Sequence, residues 1–217
     1  KDGKGWIHGL LRERTDLFDA SSFAANIGPG EDPYTNYDRK VCQLTQEWLT
    51  KNGVRNPHGG WCLFVSFLRP HYPLTCPSEF YELYDPKRLP KPRQASDPPE
   101  LEHPVLKNLK KSCDYDQSFT DDTRQIAIAS YYGLCTFVDD LVGKINETLT
   151  KTSLDETTNI LFTSDHGECL GDRGFWTKMV MFEEASAVPL IMSGPDVSSG
   201  ICKAPVSLID IYATVLD

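Results

Sequence analysis

Thr158-Asn-Ile-Leu-Phe-Thr-Ser-Asp165-His166-Gly167-Glu168 is the stretch that decides how this sequence is read. Its first half, Thr158 to Thr163, is a short apolar run of the kind that forms a buried strand. Its second half releases a carboxylate and an imidazole in adjacent positions, with a glycine behind them. Adjacent side chains splay to either side of the chain, and Gly167 lets the backbone turn sharply. An oxygen and a nitrogen donor so placed suit Mn, Zn or, less comfortably, Ca. The same residues also read as a satisfied turn in which Asp165 caps the next element.

Upstream, the sequence predicts a helix from about Thr120 to Lys151. Asp121 and Asp122 complement its dipole, and Ile128, Tyr132, Cys135, Val138, Val142, Ile145 and Leu149 keep a helical rhythm. Downstream, Val188-Pro-Leu-Ile-Met192 reads as another strand. Nearer the start, Trp61-Cys-Leu-Phe-Val-Ser-Phe-Leu68 is continuously apolar, as expected of a strand covered on both faces. It empties into Arg69-Pro-His71-Tyr-Pro73, whose prolines predict an extended loop. Tyr37, Val41, Leu44, Trp48 and Leu49 recur at helical spacing with Gly53 as a stop, and Pro77 opens a short helix. Residues 1–35 read as loop, and residues 85–104, with six of the 15 prolines, as a surface excursion. Ser207 and Asp210 form a capping signature for a last helix. This order predicts an α/β fold with a mainly parallel sheet sandwiched by helices. Ligands in such sheets gather beyond the strands' carboxyl ends, where His71, Asp165 and His166 fall.

Composition bounds the function. The chain has 217 residues, 40% apolar and 24% charged, and 22 basic against 31 acidic side chains give a net charge of −9. At that length roughly 70% of the unfolded surface is buried on folding, enough for a core without disulfides. The longest nearly apolar run falls far short of the ~20 residues of a membrane helix, so no membrane partner is expected. The acidic balance argues against nucleic acid. Seven cysteines with no CxxC spacing argue against a zinc ribbon and lean toward the cytoplasm, with a secreted or periplasmic location left open. Cys62 and Cys135, inside apolar runs, read as buried thiols. Lys1 at the start and an apolar pattern still running at Asp217 suggest a slice of a longer polypeptide.

Gly167, Gly171 and Gly174 punctuate a loop that ends at Phe175-Trp-Thr-Lys178. Beside a bound cation, Lys178 would clamp a sulfate or phosphate oxygen; alone it reads as a surface charge. Glu183 and Glu184 read as a helix start, Trp176 as core, and Arg69 as the partner of a carboxylate.

The run Asn159 to Glu168, then Gly171-Asp-Arg-Gly174, Lys178, Phe182-Glu183 and Val188-Pro-Leu190, resembles the metal-and-lysine segment of sulfatases in the alkaline phosphatase superfamily. Its closer look-alikes are choline-sulfatase-like enzymes and phosphonate monoester hydrolases. Gly28-Pro-Gly-Glu31, Phe64 to His71, Tyr131-Tyr-Gly133, Phe137 to Asp140 and Ser207 to Asp210 extend the resemblance over most of the chain. It implies that residues 1–217 are a partial sulfatase catalytic domain, incomplete in its α/β fold. It implies Asp165 and His166 as ligands of a divalent cation (Ca or Mn), and Lys178 and His71 as catalytic and substrate-binding residues. The implied substrate is a small-molecule sulfate ester; oligomeric state is left open. The family's nucleophile is a formylglycine made from cysteine in a Cys-x-Pro/Ala-x-Arg motif, which this chain lacks. Cys76-Pro-Ser78-Glu-Phe80 has Ser and Phe at the deciding positions. The family's first-strand acidic pair is absent too, and Ala187 stands where relatives usually have Arg. The formylglycine is therefore expected upstream, and this slice alone is expected to be inactive. Phosphonate monoester or phosphodiester hydrolysis, and a non-catalytic binding module on the same fold, are the alternatives.

Overall fold

In a computed structural model of the chain, residues 23–55, 60–93, 103–113 and 115–216 are described. In chain order they form β1 (Ile27–Pro29), α1 (Pro33–Lys51), β2 (Leu74–Cys76), α2 (Ser78–Tyr81), α3 (Pro104–Ser112), α4 (Asp121–Lys151), β3 (Ile160–Thr163), α5 (Glu183–Ser186), β4 (Leu190–Ser193) and α6 (Asp210–Leu216). Three-residue 3-10 turns lie between several of them.

The predicted helix from Thr120 is α4, and its start follows from the local chemistry. Thr120 and Thr123 exchange side-chain and backbone hydrogen bonds as a reciprocal capping box. Asp121 and Asp122 occupy the first turn. By length and composition α4 could cross a membrane, yet half of its most apolar stretch is buried within the fold, as in a central core helix. On one side Phe137, Val138 and Leu141 pack on Cys42 of α1, and further along Leu149 meets Leu49 and Leu154. On another, Ala127 and Leu134 meet Leu74 and Cys76 of β2 with Phe119 and Trp176. Gly133 permits that approach: a Cβ there would lie 2.6 Å from Cys76 Sγ and 3.0 Å from the Phe80 carbonyl oxygen.

β1 and β2 pair in parallel, Ile27 opposite Leu74 and Pro29 opposite Cys76. β3 and β4 pair antiparallel, Ile160 opposite Ser193 and Thr163 opposite Leu190. β1 lies inside the stretch read from sequence as loop. It forms because Ser130 Oγ on α4 accepts from Gly28 N at 2.9 Å and Cys76 O accepts from Gly30 N at 2.7 Å. The Trp61–Leu68 run joins neither sheet. Its odd-numbered residues are partly covered and its even-numbered ones exposed, so it packs one face, through Trp61, Leu63 and Phe67, on the α1–α4 clusters. Cys62 accordingly faces out, and Cys135 lies on the outer side of α4; both thiols are exposed. Every residue of β4 is exposed, and no described layer covers it.

The periodicity of α1 is helical, but its buried face is Thr35, Asp38, Cys42, Thr45 and Leu49, while Tyr37 and Leu44 are half exposed. The face is polar because the protein uses it. Asp38 is buried and accepts from the backbone N–H of Leu68 (2.8 Å) and Arg69 (2.9 Å), which ties the start of the His71 loop to α1. Burial pushes the Asp38 carboxyl above its ordinary pKa, and these two donors pull it partly back.

Candidate active site

Two loops meet at the site. The first, Arg69 to Thr75, is organised by the Arg69 side chain, which is fully covered. Its Nη1 donates to the carbonyls of His71 (2.7 Å) and Pro73, and its Nη2 pairs with the Asp32 carboxylate and donates to Thr75 O at 3.2 Å. Burial lowers the Arg69 pKa to about 10, so it stays charged at neutral pH. Asp32 also caps α1, accepting from Tyr34 N at 2.7 Å and Thr35 N at 3.0 Å. One carboxylate thus locks a helix start to the His71 loop.

The second loop runs from Ser164 to Lys178. Phe175 and Val180 pack with Cys169, Ala185 and Leu109 of α3, while Trp176 stacks on Phe119 at 4.2 Å and donates to Asp116 Oδ1 at 2.9 Å. Glu168, partly buried, accepts from Leu170 N (3.2 Å) and Thr177 N (2.5 Å). Cys169 N donates to Thr177 O at 3.0 Å, so the loop is closed by backbone bonds next to Lys178. Burial pushes the Glu168 carboxyl up; the two N–H donors, Lys178 and His166 oppose that. Behind His166, a Cβ on Gly167 would lie 2.1 Å from the Glu184 carbonyl oxygen, so only glycine lets α5 pack there. Glu184 itself pairs with Arg93 and Arg173, and Trp176 is core; both have structural roles.

Lys178 Nζ and His71 Nε2 lie 2.5 Å apart, across 107 residues of sequence. His71 Nδ1 is 2.7 Å from Tyr72 O. A carbonyl only accepts, so Nδ1 carries the proton and Nε2 accepts from the Lys178 ammonium. The His166 ring is 6.0 Å from that of His71, centroid to centroid. Its Nδ1 is 2.9 Å from Gly167 O, which by the same logic leaves Nε2 bare, 3.7 Å from Asp165 Oδ2. A ring fixed by a carbonyl with its other nitrogen free is the arrangement metal-ligating histidines use. Asp165 presents its carboxylate to solvent, 85% exposed. The donors are right for a divalent cation but few. Among the described residues no three His, Cys, Asp or Glu side chains converge, so Asp165 and His166 supply only part of the donor set such a cation takes.

A sequence profile of the Sulfatase family matches residues 12–217. The chain belongs to the sulfatase family. It is 35% identical over 198 residues to a choline-sulfatase of Rhizobium meliloti (strain 1021), covering 88% of this chain and 38% of that protein. It is 41% identical over 118 residues to arylsulfatase K of Danio rerio, covering 53% and 22%. A phosphonate monoester hydrolase from Silicibacter pomeroyi superposes with a TM-score of 0.70 at 28% identity, over 97% of this chain and 45% of that one. The enzyme of that name from Agrobacterium radiobacter gives 0.68 at 25%, over 79% and 36%. The fold is thus the alkaline phosphatase/sulfatase α/β type, in part: this chain spans less than half the length of each of these four proteins.

All four residues singled out in the sequence (His71, Asp165, His166 and Lys178) fall on these two facing loops. Two more were missed. Glu168 acts through backbone N–H groups that no residue pattern displays, although it follows directly on Gly167. Tyr34, whose ring centroid is 6.4 Å from that of His71, belongs to a helix start with no sequence signal linking it to the loop.

Proposed function

We propose that this chain supplies the metal-and-anion half of a sulfuric ester hydrolase acting on a small-molecule sulfate ester. The observation that carries this reading is the Lys178–His71 contact at 2.5 Å beside His166. Lys178 would give a charged hydrogen bond to a non-bridging sulfate oxygen, a role in which compact ammonium donors are strong. His71, whose Nδ1–H is held by Tyr72 O, would take a second proton from solvent on Nε2 and hand it to the departing ester oxygen, while Lys178 keeps its charge. Asp165 and His166 would hold a divalent cation, Ca or Mn, whose charge supports that of Lys178 on the transferring group. The attacking oxygen, a formylglycine hydrate in the reading from resemblance, comes from outside these 217 residues.

A second reading, hydrolysis of a phosphonate monoester or phosphodiester, is favoured by the two phosphonate monoester hydrolases among the structural neighbours. The same residues serve either tetrahedral anion. Full-length protein is assayed on 4-nitrophenyl sulfate and on 4-nitrophenyl phenylphosphonate. A sulfatase turns over the first with the higher kcat/KM; the reverse order selects the second reading. Asp165→Ala removes bound metal and activity together, and Lys178→Ala lowers kcat by a factor of roughly 10² or more. Turnover of neither ester leaves a non-catalytic binding module.

A further inference from the structure

The geometry points to Tyr34 as the wall of a subsite for the organic half of the ester, where an apolar or aromatic group lies flat on the ring. This rests on the reading of Lys178 and His71 as the anion-binding pair. The backbone of Tyr34 is fixed at the start of α1 by the Asp32 cap. Its ring lies over the Arg69 guanidinium, 5.6 Å from Cζ to centroid. The Arg69 side chain is wholly covered while Tyr34 is 37% exposed, so part of the residue stands between a buried cation and solvent. The ring centroid of His71 is 6.4 Å away, and the Nε2 of that histidine already meets Lys178. A tetrahedral anion held by Lys178 and His71 therefore has Tyr34 within reach of the one substituent that leaves it.

The chemistry also selects the occupant. One side of the Tyr34 ring is given to the Arg69 guanidinium, and Lys178 stands beyond His71. A flat apolar or aromatic group on the exposed part of the ring gains stacking and desolvation, while the Arg69 charge is already answered by Asp32. A ring that served only to cover Arg69 would not discriminate between anions carrying different organic groups.

The test uses three probes that the protein cannot hydrolyse, namely inorganic sulfate, methanesulfonate and benzenesulfonate, titrated calorimetrically into metal-loaded full-length protein. Wild type binds benzenesulfonate more tightly than methanesulfonate. Tyr34→Ala narrows that ratio about tenfold, the scale of one aromatic contact, and leaves sulfate affinity within twofold. Tyr34→Phe keeps the wild-type ratio. A preference for benzenesulfonate that survives in Tyr34→Ala overturns the assignment, as does an equal weakening of all three anions, which marks a structural role. Failure of wild type to bind any of the three, or undiminished binding in Lys178→Ala, overturns the anion-site reading and this subsite with it.

Discussion

Arg69→Met removes the group on which the His71 loop is built. Three carbonyls, those of His71, Pro73 and Thr75, lose a donor, and the Asp32 carboxylate, with its side chain 10% exposed, loses its cation. Truncating one partner of a buried ion pair costs about 3–5 kcal/mol, because the other charge is stranded. Asp32 still accepts from Tyr34 N and Thr35 N, which places the expected loss at the lower end, about 3 kcal/mol. That is a large part of the 5–15 kcal/mol a domain typically has. Urea unfolding of full-length protein at pH 7 reads the loss as a lower midpoint at constant m. The double variant Arg69→Met/Asp32→Asn removes the stranded charge yet keeps a side chain able to cap α1, and recovers at least about 1 kcal/mol of the deficit. A single variant costing less than about 1 kcal/mol, or a double variant as unstable as the single, would refute the claim that this ion pair organises the loop.

Gly167→Ala sets a Cβ 2.1 Å from the Glu184 carbonyl oxygen, a backbone atom that cannot rotate away. The expected cost is about 1–3 kcal/mol of stability with weakened metal binding at His166; a wild-type denaturation midpoint would show that α5 is not packed there. Glu168→Ala orphans the N–H groups of Leu170 and Thr177, costing about 1–3 kcal/mol. Glu168→Gln keeps an oxygen acceptor and sheds a carboxylate that burial already disfavours, so its midpoint stays near wild type. Equal losses in the two variants would place the effect in the charge rather than the acceptor. Burial raises the thiol pKa of Cys76 and of Cys169 to about 12, so neither forms thiolate at pH 8, whereas Cys62 and Cys202 are exposed. Brief alkylation of native protein followed by peptide mapping finds Cys62 and Cys202 modified and Cys76 and Cys169 unmodified; label on native Cys76 or Cys169 would contradict the packing.

What the sequence displayed and what it hid divide along physical lines. α4 was readable because its signals are local: Thr120, the acidic first turn and a 31-residue apolar rhythm all reinforce one another. β1 and β2 were not, since each is three residues long and rich in Gly, Pro or Cys; their pairing depends on Ser130 and on an approach across Gly133. The Trp61–Leu68 run shows the limit of reading burial from composition: continuous apolarity suggested two covered faces, and the structure covers one. In α1 the period was visible and the buried face was not, because Asp38 and Thr45 are inside through specific hydrogen bonds rather than through hydrophobicity. At the site, Asp165, His166 and His71 stood out by type and by their place beyond strand-like runs, whereas Lys178 read alone as a surface charge and entered through the family resemblance. Tyr34 and Glu168 did not stand out, one being brought in by tertiary packing and the other acting on backbone N–H groups.

The central claim is that Lys178 and His71, far apart in sequence, jointly hold the anion. A crystal structure of the full-length protein with inorganic sulfate tests it directly. The account predicts one sulfate with oxygens about 3 Å from both Lys178 Nζ and His71 Nε2, inserted between groups that touch in its absence. Sulfate bound elsewhere, or at only one of the two residues, would contradict it.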